Sequence, residues 1–179
     1  MLVGLELQQI RSNSRISGSG LRFLPVLHEG NQNSCPEEAD AIRDLVAEIL
    51  NSNAMFVDSE NKERVIALRD ILIIAPYNAQ VFELQERLPG GRVGTVDKFQ
   101  GQQAPVVFIS MTASSIDDVP RGISFLLDRN RLNVAVSRAK YAAVIVRSPL
   151  LTDYLPGTPT GLTDLGAFLS LTPATCMFA

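Results

Sequence analysis

The sequence predicts an α/β fold in which helices cover a mostly parallel sheet, and three observations predict it. Short uncharged runs rich in β-branched residues recur at Ile71 to Ala75, Val106 to Met111 and Ala142 to Val146, the pattern of strands buried on both faces. Between and around them lie segments whose apolar residues return at helical spacing. The alternation of the two is that of strand–helix–strand units, which build parallel sheets.

Each element has its own justification. Residues 1–20 hold Ser12, Ser14, Ser17, Gly18, Ser19 and Gly20 without a sustained period and read as a weakly structured lead-in. Leu21 to Leu27 reads as a short strand, and Pro25, which cannot donate to a ladder, fits an edge strand or a strand start. Ser34-Cys35-Pro36-Glu37-Glu38 reads as a helix start, with proline in the first turn and two acids at the positive end of the dipole. Ala39, Ile42, Leu45, Val46, Ile49 and Leu50 follow at helical spacing. Ile71 to Ala75 stops at Pro76, and a helix opened by Asn78 as N-cap runs through Val81, Leu84 and Leu88 to Pro89-Gly90-Gly91. Val93 to Val96 and Val106 to Met111 are strands, Asn130 to Lys140 a helix, and Ala142 to Val146 a strand. After Ser148 come Pro149, Pro156, Pro159 and Pro173, with one helix expected near Leu162 to Leu171. The organisation expected is therefore a lead-in over 1–20, a core over 21–150 and an extension over 151–179.

Composition narrows the class. With 179 residues, 46% hydrophobic, 20% charged and a mean hydropathy of +0.13, the chain folds as a single core rather than staying disordered. No apolar run approaches the ~18 residues that span a bilayer, and Met1-Leu2-Val3-Gly4 does not open a leader, so the expected location is cytoplasmic with no membrane partner. Cys35 and Cys176 lie far apart without a CxxC spacing or a histidine partner, and His28 is the single histidine, so neither a disulfide framework nor a metal site is expected. A net charge of −3 argues against a uniformly basic nucleic-acid binder. The total conceals a partition: residues 29–64 carry nine acids against three bases, whereas residues 92–147 carry eight bases against four acids.

Two patterns that would make the chain a self-sufficient nucleotide hydrolase fail. Met55-Phe56-Val57-Asp58-Ser59-Glu60 has the outline of a magnesium-binding strand end, but such a carboxylate works opposite a phosphate-binding loop. That loop needs a Gly-Lys pair, and the three lysines, Lys62, Lys98 and Lys140, have none. The segment reads as a turn with acids in front of a strand. Gly18-Ser19-Gly20 precedes a strand instead of following one and is no dinucleotide fingerprint.

Three segments in the second half carry more. They are Ala75-Pro76-Tyr77-Asn78-Ala79-Gln80, then Val93-Gly94-Thr95-Val96-Asp97-Lys98-Phe99-Gln100-Gly101-Gln102-Gln103, and Asn130-Arg131-Leu132-Asn133-Val134-Ala135-Val136-Ser137-Arg138-Ala139-Lys140. In the second, Gly94 and Gly101 bracket a polar turn in which backbone amides and the Thr95 hydroxyl can approach a phosphate closely. In the third, Arg131 and Arg138 stand seven apart, two helical turns, and project from one face of the expected helix.

In this order and spacing the three segments resemble motifs IV, V and VI of superfamily 1 helicases. The flavour is that of the 5′-to-3′ branch (subfamily B), nearest bacterial helicases fused to RecB-like nucleases. The resemblance spans about residues 21 to 150 and implies a second RecA-like domain: a three-layer, P-loop-NTPase-like α/β fold that lacks its own phosphate-binding loop. It further implies that Arg138 is an arginine finger, the catalytic residue of the set. Gly101, Gln103, Arg131 and Arg138 would serve nucleotide binding, with Arg131 organising the cleft by pairing with an acid, and Gln103 standing where the family has Glu. Thr95, Val96, Lys98, Asn78 and Gln80 would contact nucleic acid. ATP and Mg2+ are expected only in a complete two-domain enzyme, and the implied partners are single-stranded nucleic acid, DNA by the resemblance, and a first RecA-like domain. The alternative is a degenerate, non-catalytic module acting as a scaffold or single-strand clamp.

Overall fold

The apolar runs become strands because every residue in them has somewhere dry to go. A computed structural model describes residues 9–58, 60 and 62–170. Its main sheet has five strands: β2 (Gly20–Pro25), β5 (Ile71–Ile74), β6 (Arg92–Gly94), β7 (Ala104–Ser110) and β8 (Ala139–Arg147). All pair in parallel, in the order β2-β8-β7-β5-β6. Every residue of β5 and β7 is buried. Pro25 ends the edge strand β2, as its missing N–H requires.

Helices α1 (Pro36–Asn51) and α2 (Asn78–Arg87) cover one face; α3 (Ile123–Leu126), α4 (Arg129–Ser137) and α5 (Pro159–Ser170) cover the other. Strand alternation divides the core accordingly. Ile71, Ile73, Val106 and Phe108 face Ile42, Leu45, Ile49 and Leu84. Leu72, Ile74, Val107 and Ile109 face Phe99, Leu132 and Phe168. This is the expected RecA-like three-layer α/β arrangement. None of the helices among the described residues is long and apolar enough to cross a membrane.

The structure differs from the sequence-based expectation at several ends. Residues 9–20 were expected to be weakly structured; residues 1–8 lie outside the described residues, but Ile10 and Ile16 are fully buried. Strand β1 (Ile10–Arg11) pairs with β3 (Met55–Val57), which pairs with β4 (Glu63–Val65) in a small antiparallel sheet. Two isoleucines too few to make a period still dock. The acidic turn between β3 and β4 closes on itself: Asp58 accepts from the backbone N–H of Glu60 and of Lys62 and pairs with Arg64 at 2.7 Å. Helix α1 starts at Pro36 with Cys35 as its N-cap. The strand expected over Val93 to Val96 stops at Gly94, and Val96–Phe99 forms a 3₁₀ turn. The helix expected to reach Lys140 ends at Ser137, because Ala139 already pairs with Ala104 in the sheet. Helix α5 runs to Ser170; Leu171, Pro173 and Cys176 lie outside the described residues.

Candidate nucleic-acid and nucleotide edges

Because the sheet is parallel, its strand ends form two distinct rims, and the motif residues divide between them. The carboxyl ends of β5, β6 and β7 open into a cavity of about 300 Å³. Topology puts ligands at that rim in parallel sheets. Asn78, Thr95 and Val96, three of the residues expected at nucleic acid, line it, and Arg131 lines it too. The side chains of Asn78 and Thr95 make no hydrogen bond among the described residues. Asn78 is not the N-cap: that position is Tyr77, and Asn78 occupies the first helical turn with its amide exposed.

Two other residues expected at nucleic acid are turned elsewhere. Gln80 is fully buried. Its carbonyl accepts from the Cys35 N–H at 2.6 Å, and its amide donates to the Cys35 carbonyl at 3.0 Å and to Ser110 Oγ at 3.1 Å. It pins the start of α2 to the start of α1 and has no surface left for a ligand. Lys98 folds over Gly94 and donates to the Val93 carbonyl at 2.8 Å. A Cβ on Gly94 would come within 2.4 Å of Lys98 Cδ, so the absent side chain is what admits the lysine.

At the opposite rim, where β7 begins, stand Gly101, Gln103 and Arg138. Gly101 turns the chain at φ +76°, a conformation L side chains rarely adopt. Gln103 Nε2 reaches the Ser137 carbonyl at 3.4 Å. Arg138, the residue that ends α4, donates Nε to the Val134 carbonyl at 3.2 Å and an Nη to the Gln102 carbonyl at 3.5 Å. It makes no ion pair among the described residues.

Helix α4 joins the two rims. Arg131 stands in its first turn and Arg138 at its end, about 10 Å apart at 1.5 Å per residue. Arg131, expected with Gln103 and Arg138, thus stands at the other end of the helix from them, and its side chain forms no ion pair among the described residues. Its guanidinium carbon lies 4.6 Å from the centre of the Phe125 ring, with Arg121 at 4.9 Å from the same ring. Neither Arg121 nor Phe125 was marked in the sequence. Both sit in a stretch without helical or strand period, and the one available signal was an arginine four residues before an aromatic.

Beneath the cavity lies a buried polar network that sequence reasoning also missed. Glu38 is fully buried; Oε1 meets His28 Nε2 at 3.1 Å, and Oε2 accepts from Ser110 Oγ at 2.6 Å and from the Thr112 N–H at 3.0 Å. A carboxylate only accepts, which assigns the His28 proton to Nε2 and leaves Nδ1 to accept from Ser114 Oγ at 2.8 Å. The expectation that His28 stands clear of cysteine fails as well, since ligand atoms of His28, Cys35 and Glu38 lie within 4.8 Å of one another. The Cys35 thiol is matched elsewhere: it donates to Glu37 at 3.4 Å and accepts from Asn31 Nδ2 and the Glu38 N–H, each at 3.3 Å. Burial pushes the Cys35 thiol well above its ordinary range, with the Glu38 charge adding to it. Thr112, held here at φ +72°, is a strained β-branched residue that the Glu38 carboxylate secures.

A five-stranded parallel sheet with helices on both faces defines a RecA-like α/β domain. Residues 22–149 match the family described as an AAA domain. The chain is 32% identical over 123 residues to the DNA replication ATP-dependent helicase/nuclease JHS1 of Arabidopsis thaliana, covering 68% of this chain and 8% of that protein. It is 32% identical over 126 residues to the DNA replication ATP-dependent helicase/nuclease DNA2 of Gallus gallus, covering 67% and 12%. It is 34% identical over 133 residues to the helicase sen1 of Schizosaccharomyces pombe, covering 68% and 7%. The chain belongs to this AAA-domain family as a superfamily 1 helicase domain. It spans only 7% to 12% of the length of these relatives.

Proposed function

We propose that the chain is the second RecA-like motor domain of a DNA-directed, 5′-to-3′ superfamily 1 helicase, acting in the cytoplasm. The observation that carries this reading is the division of motif residues between two rims of one sheet, bridged by α4. At the β7-entry rim Arg138 offers guanidinium donors from a helix end, and Gln103 offers an amide beside it. These groups suit a phosphate and a ribose hydroxyl. The chain's Gly-Lys-free sequence contains no phosphate cradle, so the nucleotide would be held chiefly by a first RecA-like domain, with magnesium. Bound there, ATP supplies the free energy of phosphoryl transfer. This chain's part is to place Arg138 against the developing charge, a contribution worth about 10³–10⁵ in rate where such fingers act. At the other rim Thr95, Val96 and Asn78 hold a single strand through its backbone, and α4 makes the two rims one rigid body.

The relatives named for DNA replication support DNA as the strand. The test is a fusion to a first RecA-like domain, assayed for strand-stimulated ATPase. Arg138→Ala should lower turnover by at least 10³ while leaving strand affinity within twofold; unchanged turnover would remove the finger. A second reading, a non-catalytic single-strand clamp, is favoured by Gln103, whose neutral amide lies on the Ser137 carbonyl. Strand binding by the fusion without any ATPase would select it.

A further inference from the structure

We propose that Arg121, Phe125 and Arg131 form a phosphate clamp that grips one phosphodiester of the bound single strand, with the Tyr77 hydroxyl as a further hydrogen-bonding group inside the same cavity. This deepens the reading above and rests on it.

Three observations converge. Both guanidinium carbons lie over one ring, at 4.9 Å and 4.6 Å from the Phe125 centre. A guanidinium stacked on an aromatic face keeps its N–H donors in its own plane, directed outward in a fork that matches phosphate oxygens. Neither side chain has a hydrogen-bond acceptor or an ion-pair partner among the described residues. Second, Tyr77 packs against the same phenylalanine, its ring 5.7 Å from that of Phe125. It is 8% exposed, and its buried hydroxyl has no hydrogen-bond partner. Burial accordingly pushes its phenol up, keeping it a donor. An unpartnered buried hydroxyl lining a cavity marks a place where a ligand atom completes the structure. Third, the cavity of about 300 Å³ is lined by two cations against one anion, Asp97, and by Thr95 and Asn78 with their polar groups free. It opens on the rim where the strand is held.

The cation pair itself argues for an anion. Two like charges held against one ring repel, and a bound phosphate relieves that repulsion while supplying the acceptors that both guanidinium groups lack. Arg131 then belongs to the strand rim and Arg138 to the nucleotide rim, so the two arginines of one helix serve different ligands.

The 179-residue chain, titrated with a fluorescein-labelled oligo-dT and followed by anisotropy over a salt series, tests this. Arg121→Gln and Arg131→Gln should each weaken binding about fivefold to tenfold and flatten the slope of log affinity against log salt by about 0.7, one lost single-strand phosphate contact. Phe125→Leu, which keeps the apolar packing and removes the stacking face, should weaken binding in the same direction. Arg43→Gln, on the opposite face of the sheet, should bind as the parent does. Because both clamp arginines are exposed, thermal melts should be unchanged and folding will not confuse the result. Parent binding with unaltered affinity and slope in both arginine variants overturns the clamp and leaves the proposed function standing. Failure of the parent chain to bind the oligonucleotide at any salt overturns the strand-holding reading itself.

Discussion

Glu38 shows how much one side chain can hold when it is buried and fully matched. Its two oxygens collect His28, Ser110 and the Thr112 amide, and Ser110 passes the linkage on to Gln80 at the start of α2. Removing the acceptor leaves several buried donors without partners, a loss of about 3–5 kcal/mol when a buried pair is broken. Glu38→Ala should therefore lower the urea midpoint by a large part of the domain's stability, and a change under 1 kcal/mol would mean that water replaces the carboxylate. Cys35 belongs to the same cluster. Desolvation holds its thiol protonated far above neutral pH, and the thiolate is the reactive form. In a Cys176→Ser background, Ellman's reagent should leave the native protein unlabelled for hours and react fully once urea is added. Rapid native labelling would place Cys35 at the surface. Gly101, at φ +76°, is the matching case in the motif turn: Gly101→Ala should cost about 1 kcal/mol through backbone strain alone, read from the same denaturation curves.

Elements whose residues all share one environment were legible; elements defined by where they stop were not. Ile71–Ile74 and Ala104–Ser110 announce themselves because burial on both faces excludes charge. The end of α4 did not, since Val136-Ser137-Arg138-Ala139 suits a helix equally well until Ala139 finds Ala104 across the sheet. The same distinction runs through the site. Thr95 and Arg138 were legible because they sit inside a strong local pattern. Arg121 and Phe125 become a unit only through contacts with α4, and His28 meets Glu38 only because the loop after β2 folds over the start of α1. One inter-element contact yields a pH prediction. Arg87 of α2 bonds Asp40 of α1 at 2.8 Å, and that guanidinium, with Arg43 beside it, holds the Asp40 carboxyl below the usual aspartate range. A lowered folded-state pKa means that the unfolded chain binds the proton first as pH falls. The clasp therefore stabilises fully above the ordinary aspartate pKa of about 3.9 and is lost below it. Asp40→Asn should be less stable than the parent at pH 7, and the two should converge as the pH falls toward 2. A difference that persists in acid would show the charge to be irrelevant.

At the scale of the whole molecule, the function proposed here needs a body that does not give way between its rims. Grip on a strand at the carboxyl ends of the sheet and an arginine at the other rim are useful together only if α4 and the strands beneath it move as one. The packing is arranged for that. β7 lies at the centre of the five strands, with Phe108 buried in the layer beneath α1 and Val107 in the layer beneath α4. Phe108→Ala should cost about 3–5 kcal/mol through lost burial and the cavity left behind, a large share of the 5–15 kcal/mol typical of a domain. The more telling result is how that loss is distributed. The protein has no tryptophan and three tyrosines. Tyr141 packs on the α1 side of the core and Tyr154 on the α4 side, so single-tyrosine variants report each layer separately. Although Phe108 touches only one layer, both tyrosines should report the same lowered urea midpoint, because the two layers share every central strand. If Tyr141 shifted while Tyr154 held, the layers would unfold independently, and a pull on the strand rim could not be carried through α4 to Arg138.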